Sequence, residues 1–300
     1  MIEITEYIQQ IYEDFSEYYD EGHNMCELKK LTFEAGELPD YNSKRMQQFY
    51  LLRYAFAYSF EYSCMYDNII KDFKENPQIE VVSIGCGAMI DYWSLVYSLK
   101  QHRMQECSVR YVGIDEINWS YKIKSRKKDK VYFRLENAKR AFAQNEKFIS
   151  DIYFFPKSIS EFDEEEMSIM IDALSQKPII KDTVYFCFSI RSDQGSMDHD
   201  MKKTEKIARA LEKRNYMLST SQNTSNTYTH FEEDKGIASF DSEFIYPEDA
   251  LEYIKNLNKK CKKHMEYGTN CNSNCKTYLT RWPILRTSNI FFQIFKFERK

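Results

Sequence analysis

Ile79-Glu80-Val81-Val82-Ser83-Ile84-Gly85-Cys86-Gly87-Ala88 is the stretch that decides the fold. A β-branched run ends in a Gly-x-Gly turn, and a helix-like segment follows from about Met89 to Lys100. Glycine at such a turn lets the backbone approach a ligand where a side chain would collide. The start of the following helix supplies N–H groups with no partner inside the helix.

Working outward, a second β run, Arg110-Tyr111-Val112-Gly113-Ile114, ends at Asp115, about 28 residues beyond Gly87. An acid at that point can accept hydrogen bonds from the hydroxyls of an adenosine ribose. Val131-Tyr132-Phe133-Arg134 follows, then a helical stretch near residues 138–144. Asp151-Ile152-Tyr153-Phe154-Phe155 stops at Pro156-Lys157-Ser158, and Thr183 to Ile190 forms another apolar run. Between them, Ser158-x-x-Glu161 and Asp163-x-x-Glu166 both have capping-box form, with a helix expected over 163–175. A further helix is expected over 201–214. Strands alternating with helices imply βαβ units and a parallel sheet. Continuous rather than alternating apolar runs fit strands covered on both faces.

The flanks differ in texture. Residues 1–77 read as a helical region, with Met46, Phe49, Leu52, Phe56 and Phe60 at helical spacing behind a plausible Ser43 N-cap. Asn76-Pro77 closes it. Residues 216–244 are weakly patterned. Pro247 opens a helix toward Lys260, and residues 289–297 form a final strand that suits an antiparallel edge. The expected architecture is α/β, a Rossmann-like and mainly parallel sheet with helices on both faces. The expected division is a helical cap (1–77), a core (78–246) and a C-terminal extension (247–300).

Composition narrows the function classes. The 300 residues are 43% hydrophobic and 16% aromatic, with a net charge of −4. That balance argues against a surface built throughout for nucleic acid. The N-terminus lacks an apolar core of signal-peptide length. The most apolar segment, residues 50–70, is interrupted by Arg53, Glu61 and Asp67. Burying those charges in a bilayer costs roughly 2.5–3.5 kcal/mol each, so a soluble buried helix and a cytoplasmic protein are expected. Of the eight cysteines, Cys26, Cys64, Cys86, Cys107 and Cys187 stand singly and read as small buried hydrophobes.

Val-Ser-Ile-Gly-Cys-Gly-Ala followed by Val-Gly-Ile-Asp-Glu resembles motifs I and II of class I S-adenosylmethionine-dependent methyltransferases. The resemblance covers roughly residues 79–190. It implies S-adenosylmethionine as cofactor, with Gly85, Cys86 and Gly87 beside its methionine part and Asp115 on its ribose. It further implies Asn137 near the adenine, and Pro156, Lys157 and Ser158 bordering the methyl group and acceptor. Lys157 and Ser158 are the candidates for orienting the acceptor, an RNA or a small molecule. Two positions depart from the family pattern: Met89 stands at the third glycine position and Asn137 where an acid is common. A dinucleotide site would want Gly-x-Gly-x-x-Gly, but Ile90 and Asp91 occupy its end and place an acid near the pyrophosphate. A non-catalytic nucleotide-sensing or RNA-binding module remains the alternative, and a dinucleotide-dependent oxidoreductase a third.

The last constellation is Cys261-x-x-His264 with Cys271-x-x-x-Cys275. Three thiolates and one imidazole are a tetrahedral structural zinc set, although unrelated reduced thiols fit the same residues. Lys122, Lys124, Arg126, Lys127, Lys128 and Lys130 form one basic patch, and Lys255, Lys259, Lys260, Lys262 and Lys263 another. Either a solvated face or RNA phosphate contact accounts for them.

Overall fold

A computed structural model describes residues 3–31, 39–191, 194–219, 229–231, 245–261, 279, 283 and 290–300. In chain order its helices and strands are α1 (Ile4–Asp20), α2 (Lys44–Ile69), β1 (Gln78–Ile84), α3 (Ile90–Gln101), β2 (Ser108–Asp115), β3 (Lys130–Leu135), α4 (Ala138–Gln144), β4 (Ile152–Phe155), α5 (Glu164–Gln176), β5 (Thr183–Ile190), α6 (Gln194–Glu212), β6 (Tyr216–Leu218), β7 (Thr229–Phe231), α7 (Glu248–Lys255), α8 (Leu257–Lys260) and β8 (Ile290–Arg299). The chain divides into two compact units. One comprises residues 1–60, 118–124 and 235–287, and the other comprises residues 61–117, 125–234 and 288–300.

The second unit holds a mixed sheet of order β3-β2-β1-β4-β5-β8-β6. Strands β1 to β5 pair in parallel, and β8 pairs antiparallel with β5, as its place at the end of the chain suggested. The short strands β6 and β7 pair with the two ends of β8. Because β1 lies between β2 and β4, the chain reverses its direction of winding there, which places the ligand crevice of such sheets at the carboxyl ends of β1 and β4. The Rossmann-like expectation holds on this strand order.

The core explains why these residues form these elements. Every residue of β4 is buried, which a continuous apolar strand requires when both faces are covered. Met167, Met170 and Leu174 of α5 and Ile207 and Leu211 of α6 pack with Phe155, Phe186, Phe188 and Phe295 of the sheet. Stacked rings such as Phe155–Phe188, at 4.8 Å, add to burial worth about 1.5–3 kcal/mol per side chain. Helix α5 starts at a complete capping box: Glu166 N–H donates to Asp163 at 2.8 Å, and Asp163 N–H to Glu166 at 3.0 Å. Helix α6 begins earlier than residue 201, the start its apolar pattern suggested.

In the first unit, Tyr7, Ile8, Ile11, Phe15 and Tyr19 form the buried stripe of α1. Phe15 stacks at 6.2 Å on Phe49 and meets Tyr253 of α7 edge-on at 6.3 Å. Segment 118–124 belongs to this unit through Tyr121, whose hydroxyl donates to Asp14 and accepts from Gln48 Nε2. No helix among the described residues is long and apolar enough to cross a membrane.

Candidate cofactor site

The turn after β1 is forced by its residues. Gly85 and Gly87 sit at φ +70° and +53°, a region that costs an L-residue with a Cβ about 1–2 kcal/mol. At Gly85 a Cβ would also stand 2.4 Å from Ser158 Cβ. The Gly85 and Cys86 N–H groups both donate to the Ile114 carbonyl, at 2.8 and 3.1 Å, which ties the turn to β2. The Cys86 thiol points back toward β2, where a Cβ on Gly113 would lie 2.7 Å from it. Only the backbone of Cys86 is available for a ligand.

Met89 continues the same conformation at φ +63°. The family pattern's third glycine is therefore replaced by a residue that still adopts the glycine-like backbone and buries its side chain to 4% exposure. The departure noted in the sequence is chemical rather than geometric.

Asp115 ends β2 facing this turn. Its Oδ2 accepts the Gly87 N–H at 2.7 Å and its Oδ1 accepts the Ile117 N–H at 2.8 Å. These two bonds fix the orientation of the carboxylate beside the turn. Asp91 corrects the electrostatic reasoning drawn from sequence. It does not project an acid toward a phosphate site: it is fully buried, and Tyr111 donates its hydroxyl to both carboxylate oxygens, at 2.9 and 3.0 Å. Burial pushes its carboxyl up to about 7.

After β4, Lys157 has φ +61° and directs its ammonium inward. Its Nζ lies 2.7 Å from both the Ile190 carbonyl and Glu61 Oε1. Glu61, on α2 and 1% exposed, also accepts the Ser189 hydroxyl. Ser158 is 4% exposed and donates its hydroxyl to the Ile84 carbonyl, so it braces the glycine turn from behind. The Ser158-x-x-Glu161 capping box does not form; a short 3-10 turn over Ile159–Glu161 stands there without a side-chain cap. Asn137 is the N-cap of α4, its Oδ1 accepting the Arg140 N–H at 2.9 Å. The carbonyl oxygen considered for adenine already serves the helix.

Glu161, read in the sequence only as the end of a capping box, lies within the electrostatic reach of Asp115. Desolvation raises its carboxyl to about 7, opposed by Arg191 and helped by Asp115, Glu116 and Glu166, although its side chain keeps 38% of its surface in contact with solvent. Arg191 Nη2 lies 3.7 Å from its Oε1. Glu61 and Ser189 were missed. Nothing local marks them, since their partners are distant in sequence.

The metal set is only partly within the described residues. Cys261 is buried and carries a free thiol, while His264, Cys271 and Cys275 lie outside the described residues. In the basic patches, Arg126 is bound to Asp129 at 2.7 Å, and Lys122 Nζ donates to Asn118 at 2.8 Å. Lys255 pairs with Glu252 at 3.0 Å and Lys260 with Asp20 at 3.4 Å. Lys262 and Lys263 lie outside the described residues.

No family model and no curated protein matches the chain. Among solved structures it is similar to the plantazolicin methyltransferase BpumL in complex with SAH, at 13% identity and a TM-score of 0.41, covering 97% of this chain and 100% of that one. A loganic acid methyltransferase with SAH shares 9% identity at a TM-score of 0.36, covering 82% and 97% of the two chains. Human N-acetylserotonin methyltransferase in complex with SAM shares 12% at 0.41, covering 72% and 64%. Identities this low leave the chemistry to be argued from this chain's own residues.

Proposed function

We propose that this protein transfers a methyl group from S-adenosylmethionine to a small-molecule acceptor. The observation that carries the reading is the left-handed Gly85-Cys86-Gly87 turn, tied to Asp115 at the switch point and facing an acidic rim. S-adenosylmethionine brings a methyl group on a positively charged sulfur, and its net charge is positive. Asp115, Glu116, Glu161 and Glu166 stand together, with Arg191 beside Glu161 and Lys203 near Glu166 as counter-charges. That field suits a cationic donor and opposes the pyrophosphate of a dinucleotide. In this reading Asp115 accepts the ribose hydroxyls, and the backbone of residues 85–87 borders the methionine part.

Methyl transfer needs alignment and an attacking atom that is neutral or deprotonated. Glu161, with its carboxyl near 7 and partial exposure, is the group suited to take the acceptor's proton. The N-terminal helical region is part of the proposal as the element that selects the acceptor. RNA is the less favoured acceptor because Lys122, Arg126, Lys255 and Lys260 already have partners within the chain. One observation favours a non-catalytic sensor instead. Lys157 and Ser158, the residues expected to orient an acceptor, are engaged by Glu61 and the Ile84 carbonyl.

Thermal melts with S-adenosylmethionine, S-adenosylhomocysteine and NAD at equal concentration test the donor. A ligand at 100 times its Kd stabilises by about 2.7 kcal/mol. The two adenosyl ligands are expected to raise the melting temperature and NAD to leave it unchanged; a shift with NAD alone overturns the proposal. Donor binding without methyl transfer to extracted metabolites identifies the sensor. The zinc set Cys261, His264, Cys271 and Cys275 is proposed separately, as a structural site. Metal analysis should find about one zinc per chain, lost in Cys271→Ser; a folded, metal-free protein ends that proposal.

A further inference from the structure

Helix α2 carries three charges in an apolar stretch, and the chain answers two of them. Glu61 pairs with Lys157 at 2.7 Å, and Asp67 with His102 at 3.2 Å. Arg53 has no such answer. Its Nε and Nη1 are buried, and neither has a hydrogen-bond partner among the described residues. A guanidinium stays charged at any physiological pH, and a buried donor left unmet destabilises the fold, the more so when charged. A residue kept at that cost calls for an explanation.

Its surroundings supply one. The Tyr54 ring lies 5.0 Å from the guanidinium carbon. Tyr54 stacks on Tyr58 at 5.6 Å and 14°, and Tyr50 lies 5.1 Å from Tyr54 and 5.5 Å from Trp119. Tyr41 closes the group, 5.2 Å from both Tyr50 and Trp119. Trp119 is 5% exposed, and its indole N–H is a second buried donor without a partner. The cluster is held in place by Gln47, itself 2% exposed. Its Oε1 accepts the Ser120 N–H at 2.8 Å, and its Nε2 donates to the Tyr41 carbonyl at 2.7 Å and the Asn118 carbonyl at 3.3 Å. All these residues belong to the first compact unit.

We infer that this cluster is a binding site for an aromatic carboxylate. The unmet groups are donors only, so the missing partner is an acceptor. One of them is a cation, so the acceptor is an anion. The walls are rings, so the body that carries the anion is flat and apolar. A single carboxylate on an aromatic ring satisfies all three conditions, with Arg53 receiving the anion and the ring lying against the aromatic cluster. The inference is independent of the methyl-donor reading, because every residue it uses lies in the unit without the glycine turn.

The test is calorimetric titration of the full chain, without S-adenosylmethionine, using phenylacetate and indole-3-acetate, each against its primary amide. The acids are expected to bind, with the amides about tenfold weaker or more, as loss of a charge-assisted bond implies. Arg53→Met should abolish the preference for acid and melt at or above the wild-type temperature, since it removes unmet buried donors. Trp119→Ala removes part of the aromatic wall and should weaken acid and amide alike. Equal binding of acid and amide, or binding of neither, overturns the inference. So does an Arg53→Met variant that melts well below wild type, because Arg53 would then be a structural member of the core.

Discussion

On one side of the switch point, at the end of β1, the chain builds its site from backbone: left-handed residues 85, 87 and 89, N–H groups bonded to Ile114 and Asp115, and one carboxylate held in place. On the other side, at the ends of β4 and β5, it uses buried side-chain charge: Glu61, Lys157 and Ser189, with Ser189 and Glu61 128 residues apart. The first construction is local in sequence and tolerates no Cβ at Gly85. The second is assembled across the fold and tolerates no change of charge at one partner alone.

The largest effect is expected on the charged side. Glu61→Leu leaves the Lys157 ammonium buried without its anion and should cost about 3–5 kcal/mol in urea unfolding. Adding Lys157→Met should recover most of that loss, since a matched apolar pair is often neutral. If the double variant is as unstable as the single one, the two residues do not act as a pair. Next is Gly85→Ala, which combines positive φ with the contact at Ser158 Cβ. A loss of about 2–4 kcal/mol is expected, together with loss of donor affinity. Ser158→Gly in the same chain should relieve the steric part and leave the backbone strain.

The contrast also explains what was legible in the sequence. Gly85, Gly87, Asp115 and the Asp163–Glu166 capping box are written in neighbouring residues, and strands and helices from 79 to 190 follow from periodicity. The Glu61–Lys157 pair could not be read, because only the folded sheet brings α2 to the end of β4. Ser158 and Asn137 were legible as polar residues at the right place but not as bonded ones. Each could form either a ligand contact or a local cap, and the choice depends on backbone direction. Asp91 was read in the correct position and the wrong direction: the first turn of α3 turns it inward onto Tyr111.

Asp91 supplies a smaller, pH-dependent test beneath the backbone side. Its carboxyl stands near 7 in the fold against about 4 in the unfolded chain. Between those values the folded chain holds a proton the unfolded chain has lost, so stability from this group falls as pH rises from about 4 to 7. Asp91→Asn should flatten that slope in unfolding measured across the range; an unchanged slope would assign it to other groups. The smallest effect is expected at α4, where Asn137→Ala removes one N-cap bond and about 1 kcal/mol.

Amide hydrogen exchange with and without S-adenosylmethionine tests the proposed donor site most directly, because it reads the backbone from which that site is proposed to be built. Added S-adenosylmethionine should slow exchange over residues 85–91 and 115–117, with Asp115→Ala abolishing the protection. Stabilisation by S-adenosylmethionine with no protection in either segment would place the donor elsewhere and contradict the site described for it.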